Sequence, residues 1–213
     1  DPSQYATFPA DDDGIVPLTD IEWFEDDATN RLVEFVSVAW DACHLEENLD
    51  FLAANLSPKR GESSRDTLRR YFTDKFFKDH LQTYKKRPIY WLFSSGKQKA
   101  FQCLVYLHRY NEGTLARMRT EYVIPLTGKL NAHVGKLDSD KIASGSGAET
   151  RKLEKEIERL QKQQTELNAF DEKLKHLADQ RISLDLDDGV KVNYGRFGDL
   201  LADVKAIAGK NPT

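Results

Sequence analysis

Ser94-Ser95-Gly96-Lys97-Gln98 is the stretch that most invites a chemical reading, because a glycine followed by lysine ends many phosphate-gripping loops. Such a loop also needs a glycine five residues before Gly96, where Trp91 stands, and a hydroxyl after the lysine, where Gln98 stands. The nucleotide-loop reading therefore fails. Asp185-Leu186-Asp187-Asp188-Gly189 suggests calcium, but counted from Asp185 the glycine comes at position five and Arg196 at position twelve. A calcium loop wants glycine at six and glutamate at twelve, so a hairpin turn is the better reading. His44, His80, His108, His133 and His176 are scattered, with no metal-ligand spacing to a cysteine or carboxylate. No Gly-x-Ser-x-Gly elbow and no glycine-rich strand-to-helix turn for a dinucleotide or S-adenosylmethionine is present. The sequence gives no catalytic, cofactor-binding or metal-binding residue.

What remains is cationic. Residues 1–50 hold fourteen acids and one base, Arg31, whereas residues 58–137 hold seventeen bases and six acids. The net charge of −4 hides this separation. Arg65, Arg69 and Arg70 precede an apolar core segment, Lys85, Lys86 and Arg87 enter it, and Lys97 and Lys99 sit at its turn. Arg109 follows its exit, and Arg117 and Arg119 come shortly after. Basic groups on both sides of a rigid hairpin form a surface able to neutralise phosphates, the source of most salt-sensitive affinity for nucleic acid. Tyr84, Tyr106 and Tyr110 stand nearby as packing or contact residues. A second consequence of the same charge sorting stays open: the acidic start folds onto the basic middle and neutralises it.

The elements that position these groups can be read from periodicity. Residues 1–20 contain three prolines and an acidic run, and are expected as an irregular arm. A domain of helices over 21–137 follows. Trp23, Phe24, Leu32, Phe35, Val36, Ala39, Trp40 and Cys43 give one helix an apolar face, and Leu45–Leu56 forms a second helix that ends at Ser57-Pro58. Ser63 or Ser64 caps a third helix carrying Leu68, Phe72 and Phe76. Ile89–Phe93 and Ala100–Leu107 are nearly unbroken apolar runs around a polar turn, which predicts a β-hairpin over about 88–108 covered on both faces. Another helix follows Asn111 and is disturbed at Pro125.

Residues 138–181 are expected as a loop (138–149) and a long helical arm (149–181); the loop separates two helical stretches, so an antiparallel αα-hairpin is the economical topology. Leu153, Leu160, Leu167 and Leu174 recur every seven residues, but Gln164 and the early arrival of Phe170 break the heptad. That slip argues for an arm packed on its own protein. In 182–213, alternation of Ile182, Leu184 and Leu186, then Val190, Val192 and Tyr194, around Asp188-Gly189 predicts a second β-hairpin, followed by a terminal helix from Gly198 to Ala208. The fold class expected is thus mainly α: a helical bundle with one or two small β-hairpins and a coiled-coil-like arm.

No apolar run approaches the roughly 20 residues of a membrane span, and no signal peptide opens the chain. Cys43 and Cys103 make no disulfide framework, so a cytoplasmic location is expected. Asp1 in place of an initiating methionine, with a loose Gly-Lys-Asn-Pro-Thr end, gives the expectation of a segment from a longer protein.

The strings KRPIYWLFSSGKQKAFQCLVYLHRYN, TLARMRTEYVIPL and DEKLKHLADQRISLDLDDGVKVNYGRFGDLLADV resemble the C-terminal region of the PglX family, the adenine-specific DNA methyltransferases of BREX phage-defence systems. The resemblance covers about residues 60–208 and is looser over the acidic first fifty. It implies a parent that uses S-adenosylmethionine to methylate adenine N6 and marks host DNA. The family's Asn-Pro-Pro-Tyr type motif and its cofactor-binding glycines match nothing here, so no catalytic residue and no cofactor carries over to this chain. The expected role is a non-catalytic module that helps hold or position duplex DNA beside the remainder of the methyltransferase. The alternative is a protein-interaction module, in which helix 21–56 or arm 149–181 docks other BREX proteins. A phage DNA-mimic inhibitor could exploit the same basic surface, and no membrane is implied.

Overall fold

The computed structural model of the chain describes residues 12–84, 87–185, 188–202 and 207. Its centre is a small antiparallel sheet. The apolar runs on either side of the Gly96 turn form β2 (Tyr90–Ser94) and β3 (Gln102–Tyr106), paired from Tyr90 opposite Tyr106 to Ser94 opposite Gln102. Consecutive buried positions, Trp91 to Phe93 and Gln102 to Val105, mean that both faces of this hairpin are covered, as its unbroken apolar runs predict. A third strand, β1 (Ile15–Leu18), lies antiparallel on the other side of β3, giving the order β1-β3-β2. Residues 1–20 are therefore not an irregular arm throughout, although residues 1–11 lie outside the described residues. Pro17 fits this place because β1 is an edge strand, where a missing N–H costs little.

Helices surround the sheet, and the chain is mostly helical. Asp27 caps α1 (Ala28–Ala39) by accepting from the backbone N–H groups of Thr29 and Asn30. A 3-10 turn (Ala42–His44) leads to α2 (Leu45–Ala54). Ser63 caps α3 (Ser64–Tyr71), which continues through a π-helical turn (Phe72–Phe76) into α4 (Phe77–Thr83). Beyond the sheet, α5 (Thr114–Arg117), a second π turn (Met118–Val123) and α6 (Ile124–Ala143) form another continuous run. Pro125 has no N–H and its ring crowds the preceding carbonyls; the widened π turn just before it lets the helix continue rather than break.

The long helix α7 (Gly147–Asp179) follows after residues 144–146 alone, so most of the loop expected over 138–149 is helical. Its Ile157, Leu160, Leu167, Phe170 and Leu174 are buried in the same core as Leu126, Leu130 and Val134 of α6. Phe170, the residue that breaks the heptad, packs its ring 5.9 Å from Phe101 beside the sheet.

The second predicted hairpin is corrected. Residues 189–195 form a short helix, α8 (Gly189–Gly195), instead of a returning strand. Val190, Asn193, Tyr194 and Phe197 also satisfy a helical spacing, and that period prevails because it turns Tyr194 and Phe197 onto Trp91, at 5.2 and 5.7 Å. Asn193 consolidates the turn by donating to the carbonyls of Asp185 and Gly189. Leu186 and Asp187 lie outside the described residues, as do residues 203–206 and 208 of the predicted terminal helix. Its described beginning is a 3-10 turn (Gly198–Leu200), after which Leu201 forms an isolated bridge with Phe93 and is not helical.

A smaller apolar cluster, Val36, Leu49 and Leu68, joins α1, α2 and α3 apart from the main core. Among the described residues, no helix is long and apolar enough to cross a membrane.

Candidate nucleic-acid interface

The turn between β2 and β3 is held by a single carboxylate from α7. Glu166 accepts from Ser95 Oγ at 2.7 Å, from the Gln98 N–H at 2.7 Å and from the Ala100 N–H at 3.3 Å. Gln163, one turn earlier, donates Nε2 to the Gln98 carbonyl at 3.1 Å. Glycine is required at position 96: its φ is +137°, and a Cβ there would lie 2.9 Å from Glu166 Oε2. The Gly-Lys pair that resembles part of a phosphate loop is thus a clamped turn tip.

Beside this tip lies a cleft of about 390 Å³ walled by α3, the turn and α7. Arg69, Arg70, Lys97, Lys99 and Arg159 line it, with Asp20, Glu62, Asp66 and Asp74 among them. The bases are largely matched. Arg70 Nε lies 2.7 Å from Glu62 Oε1, and that hydrogen bond, with the Lys59 N–H, holds the Glu62 carboxyl down to about 2. Lys99 pairs with Asp74 at 2.6 Å and donates to the Thr73 carbonyl. Arg69 is buried, paired with the buried Asp27 that caps α1, with Glu22 at 3.9 Å.

Elsewhere the same matching recurs. Arg65 grips Glu46 through two 2.7 Å bonds. Arg109 donates to the Asp12 carbonyl at 2.7 Å and lies 3.6 Å from its carboxylate. Arg117 faces Glu121 at 3.4 Å, and Arg119 makes a forked pair with Asp171 at 2.8 and 3.0 Å. Of the eleven cations expected at an interface, seven are therefore engaged with carboxylates of their own chain. Three of those pairs, at Arg65, Arg69 and Arg109, use acids from the first fifty residues, which is the neutralising fold-back left open by the charge pattern. Lys85 and Lys86 lie outside the described residues. Arg87 and Lys97 have no carboxylate partner among the described residues.

Lys75 and Lys78 join them. Both are exposed on the run from the π turn into α4, and neither has an acidic partner among the described residues. Composition marks these lysines as basic but cannot separate them from their neighbours, because pairing is decided by acids distant in sequence.

Two further groups fix the surroundings. His80 is buried on α4, and its Nε2 accepts the Tyr90 N–H at 3.2 Å, which ties the helix to the first residue of β2. Burial lowers the pKa of this histidine, consistent with an unprotonated acceptor nitrogen. Tyr122 donates to Asp13 and Asp26, each at 3.0 Å, and burial with those carboxylates raises its hydroxyl pKa. Among the described residues, no group of three histidine, cysteine or carboxylate side chains is placed to hold a metal ion.

No protein-family model matches the chain. It is 59% identical, over 98% of its length, to a protein described as adenine-specific methyltransferase BrxX from Escherichia coli O9:H4 (strain HS). The similarity is to PglX-like adenine-specific methyltransferases. A second relative, adenine-specific methyltransferase PglX of Lacticaseibacillus casei (strain Zhang), is 42% identical over 92% of the chain. The chain spans 18% of the length of the first and 16% of the second. The PglX resemblance carried by the hairpin and tail strings thus extends across the acidic first fifty residues as well.

Proposed function

We propose that the chain is a non-catalytic, cytoplasmic module of a BREX adenine-specific DNA methyltransferase that holds duplex DNA by its phosphates. The similarity to BrxX across 98% of the chain carries this reading. In it, S-adenosylmethionine and the catalytic residues belong to the rest of the methyltransferase, and the chain is a C-terminal part of that protein. The cations proposed to meet phosphate are Lys75, Lys78, Arg87 and Lys97, which have no acidic partner among the described residues. Arg65, Arg69, Arg70, Lys99, Arg109, Arg117 and Arg119 hold the fold instead. Phosphate contacts of this kind set the orientation of an enzyme on the duplex without reading its sequence. A phage DNA-mimic protein would address the same cations.

The α6–α7 pair serves as an antiparallel, coiled-coil-like arm in this reading. An alternative, docking of other BREX proteins, draws on that arm, where Arg151, Lys152 and Lys155 are exposed with no acidic partner among the described residues. Labelled duplexes of unrelated sequence separate the two readings. DNA holding predicts binding to each with similar affinity at low salt, whereas absence of binding to any duplex would transfer the function to protein docking.

A further inference from the structure

On α1 and α2, large apolar side chains point away from the small cluster that joins these helices to α3. Val36 and Leu49 are buried in that cluster at 1% and 0% exposure. Val38 and Phe51 each come two residues later, about 200° around the helix, and are 49% and 67% exposed. Trp40, at the end of α1, is 49% exposed, and its carbonyl receives a hydrogen bond from Asn48, one turn before Phe51. Three large apolar side chains this exposed on two helices in contact mark an interaction surface more than scattered exposure does.

The nearest charges on the same helix faces are acidic. Glu34 precedes Val38 and Glu47 precedes Phe51 by four residues, so each apolar side chain has a carboxylate on its own helix face. Glu34 has no cationic partner among the described residues, and Glu47 has only the exposed His44, at 3.3 Å. Residues 32–58 contain no lysine or arginine. A second copy of the same face would bring carboxylate against carboxylate. The occupant that fits is basic, with aliphatic or aromatic anchors for Trp40 and Phe51.

We propose that this acidic, aromatic face docks a basic surface of the same methyltransferase, supplied by the part of the polypeptide outside this chain. The inference rests on the reading of the chain as one segment of a longer methyltransferase, and not on its contact with DNA. More than four-fifths of each relative lies outside the matched segment, so a chain partner of ample size is at hand.

Cys43 provides the test, because it is exposed immediately after this face while Cys103 is buried. Maleimide labelling of Cys43, followed by peptide mass spectrometry, is compared between the 213-residue chain and the longer methyltransferase that carries it. Cys103 serves as the internal reference for unfolding. Rapid labelling in the chain and at least tenfold slower labelling in the longer protein are expected. Trp40→Ser with Phe51→Ser should restore rapid labelling there while leaving Cys103 protected and DNA affinity unchanged. Equal rates in the two proteins would overturn the proposal and leave the face to a separate partner. Slow labelling in the isolated chain would overturn it too, since the chain would then cover its own face. Neither result would bear on DNA binding.

Discussion

At the scale of single residues, Arg69 and Lys97 show why similar charges have different fates. Arg69 is 8% exposed and pairs with Asp27 at 1% exposure, so removing the guanidinium strands a buried carboxylate. Arg69→Met should cost about 3–5 kcal/mol in urea unfolding. Lys97 touches no acid among the described residues, and Lys97→Glu should leave stability within about 0.5 kcal/mol while weakening DNA binding. Tyr122→Phe deletes one hydroxyl facing two carboxylates and should cost roughly 1.5–3 kcal/mol by the same measurement. His80 supplies a pH signature. Its pKa in the folded protein lies below the ordinary value, so its contribution is fully present above the unfolded-state pKa of about 6.5 and is lost as pH falls through the folded value. The urea midpoint should drop between pH 7.5 and 5, and His80→Gln should remove part of that slope; an unchanged slope would clear His80 of the effect.

At the scale of elements, the central hairpin was legible because two apolar runs flank a glycine turn, and β2 and β3 fall inside the predicted limits. The clamp on that turn was not legible, because Glu166 lies 68 residues from Gln98. Glu166→Ala should speed amide exchange at Gln98 and Ala100 by tenfold or more while α7 stays protected. Exchange at wild-type rates would mean that the turn holds itself. β1 escaped notice because four residues with a proline carry almost no alternation, and its place depends on β3 as a partner. The tail was misread for a different reason. Val190, Val192 and Tyr194 fit a period of two as well as Val190, Tyr194 and Phe197 fit a helix, and packing against Trp91 made the choice.

At the scale of the whole molecule, one of the two consequences that the charge sorting allowed is present in the fold. Acids from the first fifty residues do close on Arg65, Arg69 and Arg109, and this was unreadable from composition because each pair spans at least 19 residues. Lys75, Lys78, Arg87 and Lys97, which have no acidic partner among the described residues, are the interface proposed for DNA. The decisive measurement is duplex affinity by fluorescence anisotropy from about 50 to 200 mM salt, for the wild type and for Lys75→Ala/Lys78→Ala/Lys97→Ala. The account predicts steeply salt-dependent binding by the wild type, and a variant with weaker binding to every sequence whose salt slope is flatter by about 2–3, near 0.9 for each lost phosphate contact. Wild-type affinity and slope in the triple variant, or no binding by either protein at low salt, would contradict it.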